Sequence, residues 1–215
     1  LILEEIMSQD VITLTEQDSI KKAIEVMREH KIRHIPIVND QYHCTGLVSN
    51  QDIRDATPSI FQTNEHTEIL QKPLRSIMKT NLITGHPLDF VEDVAVVFYE
   101  NKIGCMPVLT DKKLVGIISE TDLLHTFVEL TGSNQPGSQI QVRVPNKTGM
   151  LSDVSAIFKA QRVNIQSVLV YPDHSDKDFK ILAIRVQTMN PLPVVSSLKG
   201  HGYTVLWPKE PEFIS

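Results

Sequence analysis

Two serine–aspartate pairs carry most of the chemistry this sequence can offer. They are Ser49-Asn50-Gln51-Asp52 and Ser119-Glu120-Thr121-Asp122. Each follows an apolar run, Thr45-Gly46-Leu47-Val48 and Val115-Gly116-Ile117-Ile118, that reads as the end of a buried strand. A Ser at a strand–helix corner with an acid three residues on has the spacing of a capping box, worth about 1 kcal/mol per cap. The same spacing suits a ligand. A helix N-terminus attracts anions, and a carboxylate with two acceptor oxygens matches a vicinal diol. The residues by themselves allow both uses.

The elements that must position these corners are written twice. Ile6-Met7 matches Ile77-Met78, Ile12-Thr13 matches Ile83-Thr84, and Ile35-Pro36-Ile37 matches Met106-Pro107-Val108, all at an offset of 71 residues. After Val38 the offset is 70, so the second copy has lost one residue in a turn, where a loss is tolerated. In the first copy, Val11–Leu14 is extended. A helix follows, with Asp18 as its expected N-cap and Ile20, Ala23, Ile24 and Met27 on one face. Two apolar runs, Ile35–Val38 and Gly46–Ser49, come next, and then a second helix. In the second copy Asp89 is the expected cap, with Glu92 at capping-box distance and Val91, Val94, Ala95 and Phe98 on the apolar face. Strands are expected at Cys105–Leu109 and Leu114–Ser119, and a helix from Glu120 to Leu130. Ile69-Leu70 in the joining stretch can form a short helical turn. A unit this small buries too little alone, so the two copies are expected to pack with approximate twofold symmetry, corners facing across a cleft.

After the linker-like Thr131–Ser138 the rhythm changes. Ile140, Val142 and Val144 alternate with polar residues as a half-buried strand does. A turn at Pro145–Thr148 leads through Gly149 into a helix bearing Leu151, Val154, Ile157 and Phe158. Strands over Asn164–Tyr171 and Phe179–Thr188, a helix near Leu192–Leu198 and a last strand over Tyr203–Trp207 complete a βαββαβ order. The sheet face away from the helices is expected to carry Val168, Val170, Ile181 and Ala183, covered by another subunit or by the first module.

Bulk properties narrow the function classes. The chain has 215 residues, with 41% hydrophobic, 22% charged and a net charge of −5. No basic surface for nucleic acid is expected, and no apolar run approaches the roughly 20 residues that span a bilayer. Leu1–Glu5 is acidic where a secretory leader is basic. Cys44 and Cys105 sit inside apolar runs, as reduced thiols do, and a cytoplasmic location is the expectation. His30 and His34 are four apart, but a helix end falls between them, so no metal site is expected. Catalytic motifs such as Gly-x-Ser-x-Gly, His-Glu-x-x-His, a phosphate-binding loop or Cys-x-x-Cys do not occur.

The doubled Ile-Met, Ile-Thr, Ile/Met-Pro and Gly-x-x-Ser-x-x-Asp pattern resembles a tandem pair of CBS domains. Val142-x-Val144-Pro145-Asn146-Lys147-Thr148-Gly149-Met150-Leu151, with Val163-Asn164-Ile165 after it, looks like the start of an ACT domain. The whole order resembles the bacillus-type AcuB family of acetoin utilisation proteins, to which Phe127–Gly132 and Gln187–Pro193 are also similar. The resemblance implies an α+β / α/β fold. Two CBS units (β-α-β-β-α), over 1–61 and 74–131, pack with pseudo-twofold symmetry around a linker over 62–73. A second linker over 132–138 leads to a ferredoxin-like ACT domain over 139–208 and a tail over 209–215.

It further implies a non-enzymatic regulator with no required cofactor, linked to acetoin or butanediol use and to sporulation, with AMP or a related adenosine ligand as effector. By carry-over from the family, Asp52 and Asp122 bond ribose hydroxyls, and Ser49 and Ser119 meet phosphate or sugar oxygens. Ile12, Thr13, Ile83 and Thr84 contact the adenine edge. Ile35-Pro36 and Met106-Pro107 wall the base, and Arg33 reaches a phosphate. His34 and Cys105 belong to the same set, and the second copy has Gly104-Cys105 where the first has Arg33-His34, so the two half-sites are not chemically equal. Gln51 and Thr121 stand where many nucleotide-binding copies have a basic residue, which points to a monophosphate or nucleoside. Asn146, Gly149, Met150, Leu151 and Asn164 are the candidate ACT ligand residues. A homodimer and a regulated enzyme of acetoin or acetate metabolism are the expected partners. A structural dimerisation module without a small-molecule ligand is the alternative reading, and an enzyme acting on acetoin-derived metabolites is a third.

Overall fold

A computed structural model describes residues 1–57 and 68–209. Within them the chain forms two compact units, Leu1–Leu124 and His125–Ser215. Parts of the expected first CBS unit (58–61), of the linker over 62–73 and of the tail (210–215) lie outside the described residues.

The first unit is built from the two repeats. Helix α1 (Ile20–His30) is followed by the hairpin β1 (His34–Val38) and β2 (Cys44–Ser49), then by helix α2 (Asn50–Ala56). The second repeat gives helix α3 (Val91–Asn101), strands β3 (Cys105–Thr110) and β4 (Lys113–Ser119), and helix α4 (Glu120–Thr131), which runs past the unit boundary. Both hairpins are antiparallel, and the one-residue difference between copies falls at their turns. The leading extended segments join by single parallel bridges, Leu14 to Ile37 and Gly85 to Val108, rather than as full third strands. Residues 68–70 are helical, as expected for the turn at Ile69-Leu70.

Each repeat lends its first residues to the other. Leu3, with Ile6 and Met7, packs in the second repeat's core around Val94, Phe98, Met106 and Ile118. Leu74, with Ile77 and Met78, packs in the first repeat's core around Ile20, Met27, Ile35 and Val48. Matching backbone bonds fix the exchange: Leu3 N donates to Asp89 O at 3.0 Å, and Leu74 N to Asp18 O at 2.8 Å. Leu3 and Leu74 are fully buried, each contributing about 1.5–3 kcal/mol by burial. Pseudo-twofold symmetry follows from this crosswise packing.

Three local expectations are corrected. Ser19, not Asp18, caps α1, its hydroxyl accepting from Lys22 N. Asp18 instead accepts from Thr15 N, Thr15 Oγ1 and Lys22 Nζ. Phe90, not Asp89, is the N-cap residue of α3 and makes no side-chain cap bond. Asp89 accepts from His86 N one turn earlier. Each Asp thus braces the turn that enters the helix, one residue too early to cap it. Ile24 and Ala95 lie outside the buried stripe, which runs through Ile20, Ala23 and Met27 in α1 and Val91, Val94 and Phe98 in α3. These helices bury a narrow face at i, i+3, i+7, and the i+4 position sits at its edge.

In the second unit, β5 (Ser138–Pro145), α5 (Met150–Ala160), β6 (Ile165–Pro172), β7 (Phe179–Val186), α6 (Leu192–Gly200) and β8 (Thr204–Trp207) form an antiparallel sheet in the order β6-β7-β5-β8. This is the ferredoxin-like arrangement. Ile140, Val142, Val144, Leu182, Ile184 and Val186 pack beneath α5 and α6 around Phe158 and Leu198. Gly149 takes φ 92° at the start of α5, a backbone suited to glycine.

The expected open face is half wrong. Val168 pairs with Ile184, and Val170 with Leu182, so both lie on the helix side. Leu169 and Tyr171, opposite Ala183 and Ile181, occupy the open face instead. Both faces of β6 are apolar, so alternation alone did not choose between them. The end of α4 and the linker after it meet this face. Ser167 Oγ donates to Thr131 O at 2.8 Å, and Arg185 Nη2 donates to Gln135 O at 2.7 Å.

Candidate functional site

The two corners fold as their spacing requires. Ser49 N and Oγ donate to Asp52 Oδ2 at 2.7 and 2.5 Å, and Asp52 N donates back to Ser49 Oγ at 3.2 Å. Ser119 and Asp122 repeat the arrangement at 2.8, 2.6 and 3.4 Å. These capping boxes hold both carboxylates at strand–helix corners that line cavities.

Among the described residues the two corners line separate cavities. The first, of about 340 Å³, combines the leading segment and β1 start of the first repeat with the corner of the second. Val11, Ile12, Ile32, Pro36 and Ile117 give it an apolar wall, and Ser119, Thr121 and Asp122 a polar one. Ser8, Asp10, Lys31 and Arg33 also line it. The second, of about 210 Å³, combines the first repeat's corner, Ser49 and Asp52, with Asn81, Leu82, Ile83 and Lys102 from the second repeat. His34, Gly104 and Cys105 line both and so stand between them.

Of the expected nucleotide residues, Ile12, Arg33, His34, Pro36, Cys105, Ser119 and Asp122 therefore line the first cavity, and His34, Ser49, Asp52, Ile83 and Cys105 the second. Thr13, Ile35, Thr84, Met106 and Pro107 line neither. Ile35, Met106 and Pro107 are buried behind the wall as core. Sequence reasoning missed Ser8, Lys31, Lys79 and Lys102. The signal was available: the offset of 71 maps Ser8 onto Lys79 and Lys31 onto Lys102. Lys31 and Lys102 end α1 and α3 with φ 55° and 53°, the left-handed position glycine commonly fills.

Burial and the neighbouring Arg33 push the His34 imidazole below its usual value, against the opposing pull of Asp52 and Glu120. Burial, with Asp122 and then Cys44 nearby, pushes the Cys105 thiol up to about 12, so it is a neutral wall residue at physiological pH. Groups of three or more His, Cys, Asp or Glu side chains able to hold a metal do not occur among the described residues. No helix among them is long and apolar enough to cross a membrane.

The candidate ACT residues do not converge on one another in the same way. Asn146 N donates to Asp178 O, Met150 is buried in the core, Leu151 is exposed, and Asn164 Nδ2 donates to Gln187 Oε1. A Cβ at Gly149 would meet nothing within 4 Å, so its glycine answers to φ rather than to a close neighbour. Two cavities in this unit are lined by other residues, one around Asp153, Gln161 and His201 and one around Phe127, Ser167 and Arg185.

Similarity to known proteins agrees with this architecture. The CBS domain family matches residues 3–59 and 74–129, together more than half of the chain, and the ACT domain family matches 138–199. The protein MJ1225 of Methanocaldococcus jannaschii is 28% identical over 194 residues, 90% of this chain and 62% of that protein. A homoserine O-acetyltransferase of Methanococcus vannielii is 32% identical over 127 residues, 59% of this chain but 25% of its own length. The chain thus spans only part of these relatives. Among solved structures, the CBS domain pair of MJ0100 in complex with 5′-methylthioadenosine and S-adenosyl-L-methionine is 27% identical with a TM-score of 0.52. It covers 63% of this chain and 98% of that one. A Vibrio cholerae protein named for acetoin utilization, AcuB, has the same identity and coverage at a TM-score of 0.55. Crosswise cavities, doubled corners and these likenesses agree, and the chain belongs to the CBS-domain family, as a tandem CBS pair followed by an ACT domain.

Proposed function

We propose that the CBS pair is a regulatory sensor of an adenine nucleotide, with AMP or a related adenosine ligand in the first cavity. The observation that carries this reading is the cavity's composition. A base-sized apolar wall at Ile12 and Pro36 faces a Ser119–Asp122 corner suited to a ribose diol, with Lys31 and Arg33 placed for a phosphate. Its volume falls in the range of small-molecule sites. The adenosine ligands of the MJ0100 pair support the same class.

Binding regulates only if the ligand prefers one arrangement of the protein over another. The natural output is an altered posture of the CBS pair or the ACT domain, read by a partner enzyme, without turnover by this chain. The likeness to a protein named for acetoin utilization supports acetoin metabolism as the setting. Butanediol use, sporulation, a cytoplasmic location and a homodimeric working form complete the proposal as what the sequence resemblance implies.

Calorimetry with AMP, ADP, ATP, S-adenosylmethionine and NADH tests the proposal. Saturable heat for an adenosine ligand, lost in Asp122→Ala, is expected. The capping boxes favour a second reading, in which Ser49, Asp52, Ser119 and Asp122 serve only helix ends and the protein is an interaction module. Absence of heat at millimolar ligand would leave that reading standing.

A further inference from the structure

The two cavities occupy equivalent places, so their linings can be compared position by position. Ser8 and Lys79 are one repeat offset apart. Their backbones make the same pair of bonds: Ser8 exchanges them with Ile117 at 2.9 and 3.0 Å, and Lys79 with Leu47 at 2.9 and 3.0 Å. The main chains run alike there, and the side chains do not. Lys79 Nζ lies 3.2 Å from Asp52 Oδ1, while Asp52 Oδ2 accepts from Ser49. Both oxygens of Asp52 are engaged, and its side chain is only 11% exposed. In the first cavity the equivalent side chain, Ser8, is short and uncharged.

A ribose diol must offer its hydroxyls to a carboxylate. At Asp52 it would have to displace an ammonium that already bonds one carboxylate oxygen, exchanging an ion pair for a bond from a neutral donor. The second cavity, which Lys79 lines, is also the smaller, about 210 Å³ against about 340 Å³ for the first.

We propose that Lys79 closes the second cavity to adenosine ligands, making this CBS pair a one-site sensor despite its duplicated corners. The identity of the ligand rests on the adenine-nucleotide reading above, and the side-chain asymmetry does not. Lys79 is then the specificity-determining residue that breaks the functional symmetry of the repeat.

Titration of the full chain with AMP counts the sites. Wild type should take one equivalent per chain. Lys79→Ser, which copies the first cavity's side chain into the second, should take two, and Asp52→Asn in that background should remove only the added one. Ser8→Lys should weaken the wild-type equivalent by roughly tenfold or more. Thermal melts check that each variant is folded. Two equivalents in wild type, or no gain in Lys79→Ser, would overturn the proposal. If wild type binds no AMP but Lys79→Ser binds one equivalent, the reading of the first cavity fails and the role of Lys79 stands. If neither binds, both fail.

Discussion

Met78 lies directly over Gly46: a Cβ on that glycine would stand 2.7 Å from Met78 Sδ and 3.2 Å from Lys79 O. Met7 covers Gly116 in the same way from the other repeat. The doubled Ile-Met and the doubled Gly are therefore two halves of one contact, made crosswise. Gly46→Ala should destabilise the protein by about 1–3 kcal/mol through overpacking. Met78→Ala in the same chain should cancel part of that cost, because the two sites couple. Urea denaturation of the four members of the cycle measures it, and additive effects would refute the contact.

Lys31 holds a left-handed backbone at the rim of the first cavity, where glycine would sit with less strain. Lys31→Gly should leave stability unchanged or raise it by up to about 1 kcal/mol. It should also weaken AMP binding, with a smaller salt dependence. Parallel melts and titrations separate the two effects. Unaltered AMP affinity would remove Lys31 from the site.

His34 stands between the cavities, held below its usual range by burial and Arg33, with Lys79 acting the same way and Asp52 and Glu120 opposing. The unfolded chain then binds the proton more readily than the folded one. Stability should fall as pH drops through about 6.5, the unfolded value, and level off below the folded value. His34→Gln should flatten that part of the profile, which denaturation between pH 8 and pH 4.5 would record. An identical slope in the variant would show that other groups carry it.

Asp173 is buried at the start of the β6–β7 turn, where it accepts from Ser175 N, Ser175 Oγ and Arg143 Nε. The Ser175 hydroxyl first, and then Arg143, hold its carboxyl down to about 2. A lowered carboxylate stabilises the fold above its unfolded value and ceases to do so as pH falls through the folded one. The ACT unit should therefore lose stability between about pH 4 and pH 2. Asp173→Asn should be less stable at neutral pH and less sensitive to acid in that window. Near-ultraviolet dichroism during acid titration is the measurement, and an unchanged acid midpoint in the variant would refute the assignment.

Much of the local structure was legible because it depends on short-range spacing. The Ser-x-x-Asp corners, the 71-residue offset and the alternation of Ile140, Val142 and Val144 each specify geometry within a few residues. The cap positions were missed by one residue, since Asp18 and Asp89 satisfy turn amides just ahead of helices that begin after Ser19 and Phe90. The open face of β6 was missed because both its faces are apolar, and only pairing with β7 selects one.

The sequence by itself determined that the first module is a duplication, that each copy carries a capped acidic corner, and that a βαββαβ sheet follows. Those properties are periodic or local, so composition and spacing encode them. Tertiary structure decided that each repeat gives its leading segment to the other, that the corners line two cavities divided by His34, Gly104 and Cys105, and that Lys79 reaches Asp52. These contacts join residues tens of positions apart. Which side chains meet there depends on how two nearly identical cores share their surfaces, and no spacing within a single copy records that choice.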